Sequence, residues 1–350
     1  MIAEQWSIQE LEFVDSCPVC GNLGARLVYS GLRDFLFAVP GNWNLYECNT
    51  CKSGYINPRP TKISIGKAYL RYSTHQISPP QKISGIRKLF VSIRNDYLRH
   101  TYGIHREPCF SNGFLVMYLL PPIFRWEWDH LARHLPKCNS KAKCLLDIGC
   151  GNGDFLLVAK QAGWKVVGLD FDNQAVKIAK DRGLEVYQGS YDEIHFAESS
   201  FDYICAHQVI EHIHDPNNFV KKIVKWLKPG GILWIGTPNF QSITRRYYGR
   251  HWKLLHPPHH LCLFSPAALH KLLCSVGLKT SLKHRGYFES HVVAESEAIR
   301  AGYKGVNNIN ANKSSYKRRV FSLCLETIGM FFPKLSSDLV IIGKKNENRD

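Results

Sequence analysis

The chain has 350 residues, of which 45% are hydrophobic and 21% charged, a composition typical of a globular protein of about two domains. The longest apolar run, residues 114–124, contains two prolines and falls short of the ~20 residues of a membrane-spanning helix, which excludes that class of protein. The first residues show neither a basic nor an apolar stretch, so no secretory signal is predicted and a cytoplasmic location is expected. A net charge of +16 favours acidic partners such as nucleic acid, anionic lipid or phosphorylated metabolites.

Four of the twelve cysteines form two CxxC pairs near the amino terminus. The first pair is Cys17 and Cys20, and the second is Cys48 and Cys51, after a spacer with two strand-like stretches, 25–29 and 44–47. Two such turns bring four thiolates to one metal, and a four-sulfur set is one that zinc adopts in structural sites. Disulfides are disfavoured in the reducing compartment expected here. The sequence therefore predicts a structural, non-catalytic zinc that stabilises an amino-terminal ribbon.

The clearest motif follows a short apolar run, residues 144–148, which is typical of a buried parallel strand. Glycines at 149, 151 and 153 form a turn, a helix is predicted over 154–162, and a second strand, 165–169, ends at Asp170. The sequence thus predicts a βαβ unit with a nucleotide-type turn after its first strand and an acid after its second.

The residues present exclude two common uses of such a turn. A P-loop needs GxxxxGK[ST], and neither Lys-Ser nor Lys-Thr follows these glycines. A dinucleotide site needs a third glycine where Asp154 stands. The spacing D-x-G-x-G-x-G instead resembles motif I of the class I S-adenosylmethionine-dependent methyltransferases.

Further segments carry this resemblance from about residue 144 to 278. Residues 200–204 are similar to the family's "sFD.I" entry to strand four, and 206–216 to its "LEHv.dP" segment. A helix is predicted over 217–227, and the turn 228–231 (KPGG) precedes strand five, 232–236.

The resemblance implies that S-adenosylmethionine is the cofactor, lying on the glycines with its ribose on Asp170. Asp147 would add negative charge near the sulfonium. Family members often have an acid after the glycine of the loop that covers the adenine, but Ser190 stands there, so Ser190, Tyr191 and Asp192 stay alternatives for that contact. The predicted cofactor-binding residues are Asp147, Gly149, Cys150, Gly151, Gly153, Asp170, Phe171, Ser190, Tyr191, Asp192, His207 and Gln208.

The resemblance also implies an α/β fold with a Rossmann-like, seven-stranded methyltransferase sheet, whose last strand, 339–343, pairs antiparallel at the edge. We predict three parts: a zinc ribbon over 1–62, a basic and aromatic helical insert over 63–140, and a cofactor-binding domain over 141–350. Substrate-lid insertions are expected at 240–265 and 287–335. The polar stretch 302–319 is expected to be a mobile loop, followed by an apolar helix over 320–332.

Methyl transfer to a hydroxyl or a carbon acid needs a base, and a neutral histidine suits this task near pH 7. Residues 249–265 resemble a "W…P.H…FS" stretch that closes over the acceptor in many family members. His259 or His260 is the first choice for the base, with packing of the lid as the alternative role of His260. His212 is a further candidate, which could equally serve to orient other groups.

The absence of one sequence motif narrows the class of methyl acceptor. The [DN]PP[YF] motif of enzymes that methylate exocyclic base amines does not follow strand four. The ribbon, an "INPRP" continuation at 56–60 and a core similar to ubiquinone methylases resemble bacterial small-molecule methyltransferases, several of which act on nucleotide-linked sugars or glycan intermediates. The basic balance suits an anionic acceptor. Two alternatives stay open: an rRNA or tRNA methyltransferase, and a catalytically inactive binding protein that keeps the fold.

Residues 83–143 combine arginines with aromatic side chains. The favoured interpretation is a set of helices that pack on the core. A peripheral membrane-surface element and a nucleic-acid surface are the alternatives, because both use basic residues beside apolar or aromatic ones.

Overall fold

The computed structural model describes residues 6–70, 85–138, 143–283, 289–302 and 316–347. Its strands are β1 (Leu11–Glu12), β2 (Ala25–Leu32), β3 (Trp43–Cys48), β4 (Gly54–Ile56), β5 (Arg59–Pro60), β6 (Cys144–Ile148), β7 (Lys165–Asp170), β8 (Glu185–Gln188), β9 (Phe201–His207), β10 (Leu227–Pro238), β11 (Cys262–Leu263), β12 (Leu278–Lys283) and β13 (Asp338–Lys345). Its helices are α1 (Gly66–Tyr69), α2 (Ile86–Tyr102), α3 (Gly113–Leu119), α4 (Ile123–Leu131), α5 (Asp154–Gln161), α6 (Asn173–Asp181), α7 (Pro216–Trp226), α8 (Ile243–Tyr248), α9 (Pro266–Ser275), α10 (Glu289–Arg300) and α11 (Tyr316–Phe331). None of these helices is both long and apolar enough to cross a lipid bilayer.

Seven strands form a mixed sheet in the order β12-β13-β10-β9-β6-β7-β8. Strand β6 pairs in parallel with β7 and with β9, and β7 with β8. The central strand β6 is buried at Leu145 and Leu146, as expected for parallel strands covered on both faces. The predicted α/β sheet with an antiparallel last strand is confirmed.

The predicted position of that last strand at the edge of the sheet is wrong. Strand β13 lies between β10 and β12, and β12 is the edge strand. The burial of the two strands explains the order. Asp338 to Ile341 of β13 are all buried, whereas every second residue of β12 after Leu278 is exposed.

A second sheet has four antiparallel strands in the order β11-β4-β3-β2, and β1 pairs with β5. In the four-stranded sheet, Cys262 and Leu263 of β11 pair with Tyr55 and Gly54 of β4. Strand β11, which lies at the end of the predicted lid insertion 240–265, thus extends the sheet of the amino-terminal ribbon. The glycine at 54 is required, because a Cβ there would lie 2.6 Å from the ring of Phe240.

The chain forms two compact units. The ribbon unit comprises Met1–Tyr72, Gln208–Lys222 and Ile235–Gly343, and the glycine-turn unit comprises Ser73–His207, Ile223–Trp234 and Lys344–Asp350. The division at residues 62 and 140 stays a prediction.

Most predicted elements of the glycine-turn unit lie within one or two residues of the observed ones. The KPGG segment differs, since β10 begins already at Leu227 and the predicted turn is part of the strand. Gly230 in this segment has a φ of 73°, and its N–H donates to the carbonyl of Asn346. In the ribbon unit, α11 begins at Tyr316, so the last four residues of the predicted loop 302–319 are helical, while 303–315 lie outside the described residues.

Candidate functional site

The glycine turn of the glycine-turn unit has a backbone that only glycine adopts easily. Gly149, Gly151 and Gly153 have φ values of 69°, 54° and 83°. A Cβ on Gly153 would collide with the side chain of Leu184, whereas a Cβ on Gly151 would meet nothing within 4 Å. Gly153 is therefore needed for packing, and the space beside Gly151 is open.

Asp147, on β6 just before the turn, is wholly buried and forms an ion pair with Arg133. Burial raises the pKa of Asp147 to about 6, although the nearby guanidinium favours the charged form. The guanidinium also lies over the ring of Phe155, 3.8 Å from its centroid. The second carboxylate oxygen, Oδ2, is buried and has no hydrogen-bond partner among the described residues.

Asp170 ends β7 and braces the turn. Its Oδ2 accepts the N–H of Gly151 at 2.7 Å, and its Oδ1 accepts the N–H of Asp172 at 2.9 Å. The side chain is 8% exposed, and burial raises its pKa. This places one carboxylate at the end of β7 against the backbone of the glycine turn.

Three further predicted cofactor residues of this unit lie on the loop after β8. Gly189 donates its N–H to the carbonyl of Asp170 at 2.9 Å, so the loop of Ser190, Tyr191 and Asp192 begins beside that acid. Tyr191 is buried and Asp192 is exposed.

Three remaining predicted cofactor residues have distinct surroundings. Cys150 is buried in the turn, and Phe171, which follows Asp170, is 56% exposed. The ring of His207 contacts those of His130 and Trp234, with centroids 5.2 Å and 5.5 Å away, and these two rings also contact each other at 5.6 Å.

Gln208, the last predicted cofactor residue, belongs to the ribbon unit. Its Nε2 donates to Oδ1 of Asp338 at 3.0 Å. The amide is thus committed to a contact within its own unit.

Four thiols converge in the ribbon unit. The sulfur atoms of Cys17, Cys20, Cys48 and Cys51 all lie within 4.8 Å of one another. The pairs Cys17–Cys51 and Cys20–Cys48 are 3.6 Å apart, far longer than the ~2.05 Å of a disulfide. Four sulfurs about 2.3 Å from one zinc ion would be about 3.8 Å apart, so the spacing fits a tetrahedral metal site.

The same unit brings three predicted histidines together. The centroids of His212 and His260 are 4.9 Å apart, and the rings of His256 and His259 stack at 4.2 Å. Glu211, His212 and His260 each place one side-chain ligand atom within 4.8 Å of the other two. One polar cluster thus contains His212, its neighbour Glu211, His259 and His260.

Backbone carbonyls fix the tautomers of these imidazoles. Nδ1 of His212 lies 2.8 Å from the carbonyl of His259, and Nδ1 of His260 lies 2.8 Å from that of Leu254. Because a carbonyl only accepts, both Nδ1 atoms carry the proton and both Nε2 atoms keep the lone pair. His259 has the opposite arrangement, since its Nε2 donates to the carbonyl of Ala68 at 3.0 Å.

The cluster is electrically neutral at its imidazoles. Burial lowers the pKa of His212 and of His259 to about 4, and the pKa values of His256 and His260 lie well below the usual value for the same reason. Glu211, which is wholly buried, accepts the hydroxyl of Thr237 at 2.9 Å. His212 is the least buried of the three predicted bases.

Sequence reasoning missed two partners in these sites. Arg133 is one of several arginines in the insert, and no local pattern indicates its contact with Asp147. The hydroxyl of Tyr69 lies 2.9 Å from Nδ1 of His212, and its ring packs edge-on against His259 at 5.0 Å. A tyrosine in the short helix α1 carries no motif that would predict this.

The glycine turn lies within a stretch of the chain that is similar to known proteins. Residues 125–282 match a methyltransferase domain family. A probable S-adenosylmethionine-dependent methyltransferase of Mycolicibacterium smegmatis is 29% identical over 160 residues, 45% of this chain and 60% of the relative. A ubiquinone biosynthesis O-methyltransferase of Caulobacter vibrioides is 36% identical over 102 residues, 27% of this chain and 40% of the relative.

Among solved structures, a SAM-dependent methyltransferase from Archaeoglobus fulgidus is similar with a TM-score of 0.42 and 20% identity, covering 58% of this chain and 86% of that one. The chain spans less than two thirds of the length of the curated relatives that it matches.

The neutral histidines make the stability of the ribbon unit depend on pH. Histidines of an unfolded chain titrate near 6.5. Since the folded pKa values are lower, the unfolded state binds more protons between pH 6.5 and about 4, and stability present above pH 6.5 falls as the pH decreases through this window. His259 alone should contribute about 2 kcal/mol of this loss between pH 7 and 5.

Thermal unfolding measured from pH 8 to 5 checks this. The midpoint should fall steeply below pH 6.5 in the wild type and less steeply in His259→Asn, whatever the absolute stability of that variant. The exposed His195 supplies the control, because His195→Asn should leave the slope unchanged. A flat profile in the wild type would contradict the assignment of neutral buried imidazoles.

Proposed function

We propose, because residues 125–282 match a methyltransferase domain family, that the chain transfers the methyl group of S-adenosylmethionine to an anionic small-molecule acceptor such as a nucleotide-linked sugar or a glycan intermediate. The observation that carries the proposal is the open glycine turn with Asp170 folded against it. The similarity to S-adenosylmethionine-dependent methyltransferases supports S-adenosylmethionine as the cofactor. The positive net charge of the chain supports an anionic acceptor.

The residues of the glycine-turn unit fit this cofactor. The open space beside Gly151 can take an amino acid tail against the backbone, and Asp170 can accept ribose hydroxyls. Asp147 and Asp170 are desolvated carboxylates, and the negative charge of Asp170 opposes ionisation of Asp147. A cationic ligand would relieve both penalties. When bound, S-adenosylmethionine supplies a methyl carbon activated by the sulfonium.

The ribbon unit supplies a candidate binding place for the anionic acceptor. A small recess that is open to solvent is lined by residues 32–36 together with Arg250, Trp252, Lys253, His256, Pro257 and Ile299. Arg33 and Arg250 give this lining positive charge, whereas Lys253 pairs with Glu295 and Asp34 adds one acid. Phosphate groups of a nucleotide-linked acceptor would be attracted to it.

We propose His212 as the base, ahead of His259. The Nε2 of His212 carries the lone pair and accepts no hydrogen bond among the described residues, and the side chain is only partly buried. His259 is wholly buried and uses Nε2 to donate to Ala68. The carbonyl of His259 and the hydroxyl of Tyr69 hold Nδ1 of His212, so these groups orient the imidazole.

We propose that the four cysteines bind a structural zinc ion. The sulfur spacing and the four-thiolate set fit zinc, and four protein ligands leave no position open for catalysis.

Titration calorimetry tests the cofactor assignment. Asp170→Ala should weaken binding of S-adenosylmethionine by about 10- to 100-fold, because a charged hydrogen-bond acceptor is worth about 1.5–3 kcal/mol. Asp154→Ala is the matched control, since this acid follows the turn but pairs with Arg182 at the surface. Equal affinity in wild type and Asp170→Ala, or equal losses in both variants, would contradict the ribose contact.

Turnover assays with a panel of nucleotide-linked sugars test His212 as the base. The assays detect the release of S-adenosylhomocysteine. His212→Asn keeps an N–H for the carbonyl of His259 and should lower kcat about 10²- to 10⁴-fold, with unchanged cofactor affinity. Because the pKa of His212 is about 4, kcat/KM should be level between pH 8 and 6 and fall only below about pH 5. The control His195→Asn should keep the activity of the wild type. Full activity of His212→Asn would exclude His212 as the base.

Metal analysis of the purified chain tests the zinc site. One zinc per chain is expected, and Cys20→Ser should lose most of it and unfold about 10 °C or more below the wild type. Cys324→Ser, at an exposed cysteine outside the cluster, should retain the metal. A wild type that carries no zinc after purification in its presence would refute the proposal.

A further inference from the structure

The helical pair α2–α3 of the glycine-turn unit exposes an apolar surface. Its first helix begins with Ile86, which is 75% exposed, and Phe90, which is 63% exposed. Leu119, at the end of the second helix, is 87% exposed. The α2–α3 face is defined by its exposed apolar side chains, Ile86, Leu89, Phe90, Phe110, Leu115, Val116, Leu119 and Phe124. Exposed apolar residues concentrated in one short segment mark an interaction surface.

The way α3 packs on α2 forces this exposure. Gly113 lies so close to α2 that a Cβ there would be 2.8 Å from Cα of Ile93, and Met117, one turn later, is buried. The N–H of Phe114 donates to the buried carboxylate of Asp96 at 3.0 Å. At 100° per residue, Leu115 and Leu119 therefore point away from α2.

The charges of the same segment are nearly all positive. Residues 85–126 contain six Lys and Arg residues and two acids. Of the two acids, Asp96 is buried and paired with Arg99, which leaves Glu107 as the exposed acid of this described segment. Arg87 and Lys88 are exposed in the first turn of α2, between Ile86 and Leu89. Apolar and cationic side chains are thus neighbours in the first turn of α2.

We propose that the α2–α3 face docks on the surface of an anionic lipid bilayer. Its aliphatic side chains would enter the headgroup boundary while Arg87 and Lys88 contact lipid phosphates. A helix of seven residues, about 10 Å long, cannot cross a hydrocarbon core of about 30 Å, so α3 would lie in the interface. This proposal does not depend on methyl transfer.

Two other occupants fit the face less well. Single-stranded RNA needs exposed rings for stacking, but five of the eight apolar side chains are aliphatic, and Tyr118 and Trp128 are already covered by Arg125 and Arg94 at 4.9 Å and 4.6 Å. A second copy of the chain would bring like charges together, since a two-fold interface repeats the same patch on both sides.

Co-sedimentation of the full chain with vesicles tests the proposal. The wild type should sediment with vesicles of equal parts phosphatidylcholine and phosphatidylglycerol and much less with phosphatidylcholine alone. The double variant Leu115→Asp/Leu119→Asp should partition at least about tenfold less. Arg87→Glu/Lys88→Glu should lose about fivefold or more per charge.

The matched control is Ile63→Asp, because Ile63 is 96% exposed and belongs to the ribbon unit. It should bind vesicles like the wild type, and circular dichroism should show all variants folded. Absence of wild-type binding, or equal loss in the control, would overturn the proposal. Two other results would also overturn the proposal. In one, these variants lose binding to an RNA oligonucleotide but still bind vesicles. In the other, they lose dimer formation on size exclusion but still bind vesicles.

Discussion

Backbone carbonyls hold the histidines of the ribbon unit as neutral bases, and the chemistry available to this unit depends on those hydrogen bonds. The carbonyls of Ala68, Leu254 and His259 each accept from one imidazole. A buried imidazolium would lose its hydration without gaining an anion for each ring, so burial selects the neutral form. The carbonyls then decide which nitrogen keeps the lone pair. His212 and His260 present Nε2, whereas His259 has its Nε2 committed.

The glycine-turn unit solves a different electrostatic problem. Asp147 is buried with no exposed surface, and a single ion pair with Arg133 offsets the cost of its charge. Asp170 relies instead on two backbone N–H groups. One acid is therefore neutralised by a side chain, while the other is stabilised by the turn that it braces. This difference leaves Asp170 better suited to accept hydroxyl groups.

Local sequence signals predicted the elements that local physics determines. Strand β6, the three glycines and Asp170 follow from apolar runs, left-handed backbone and turn spacing, and the structure has them where predicted. Pairings between distant segments were not predictable in this way. Periodicity shows that β13 is a strand, but its insertion between β10 and β12 depends on which edge is buried. The contacts Arg133–Asp147 and Tyr69–His212 likewise join segments that share no motif.

The amino-terminal ribbon is hydrogen-bonded to the other segments of the unit that contains the histidines. Ser265 donates its hydroxyl to the carbonyl of Cys51 at 2.7 Å, and Asn217 donates its side-chain amide to Pro18 at 3.0 Å. Arg59 donates to the carbonyl of His214, two residues after His212. Knuckle loops of this size hold their shape only when a metal or an equivalent cross-link closes them. A metal bound by the four cysteines would therefore order the segments that flank the histidines, and its role would extend from the ribbon to the geometry of the histidine cluster.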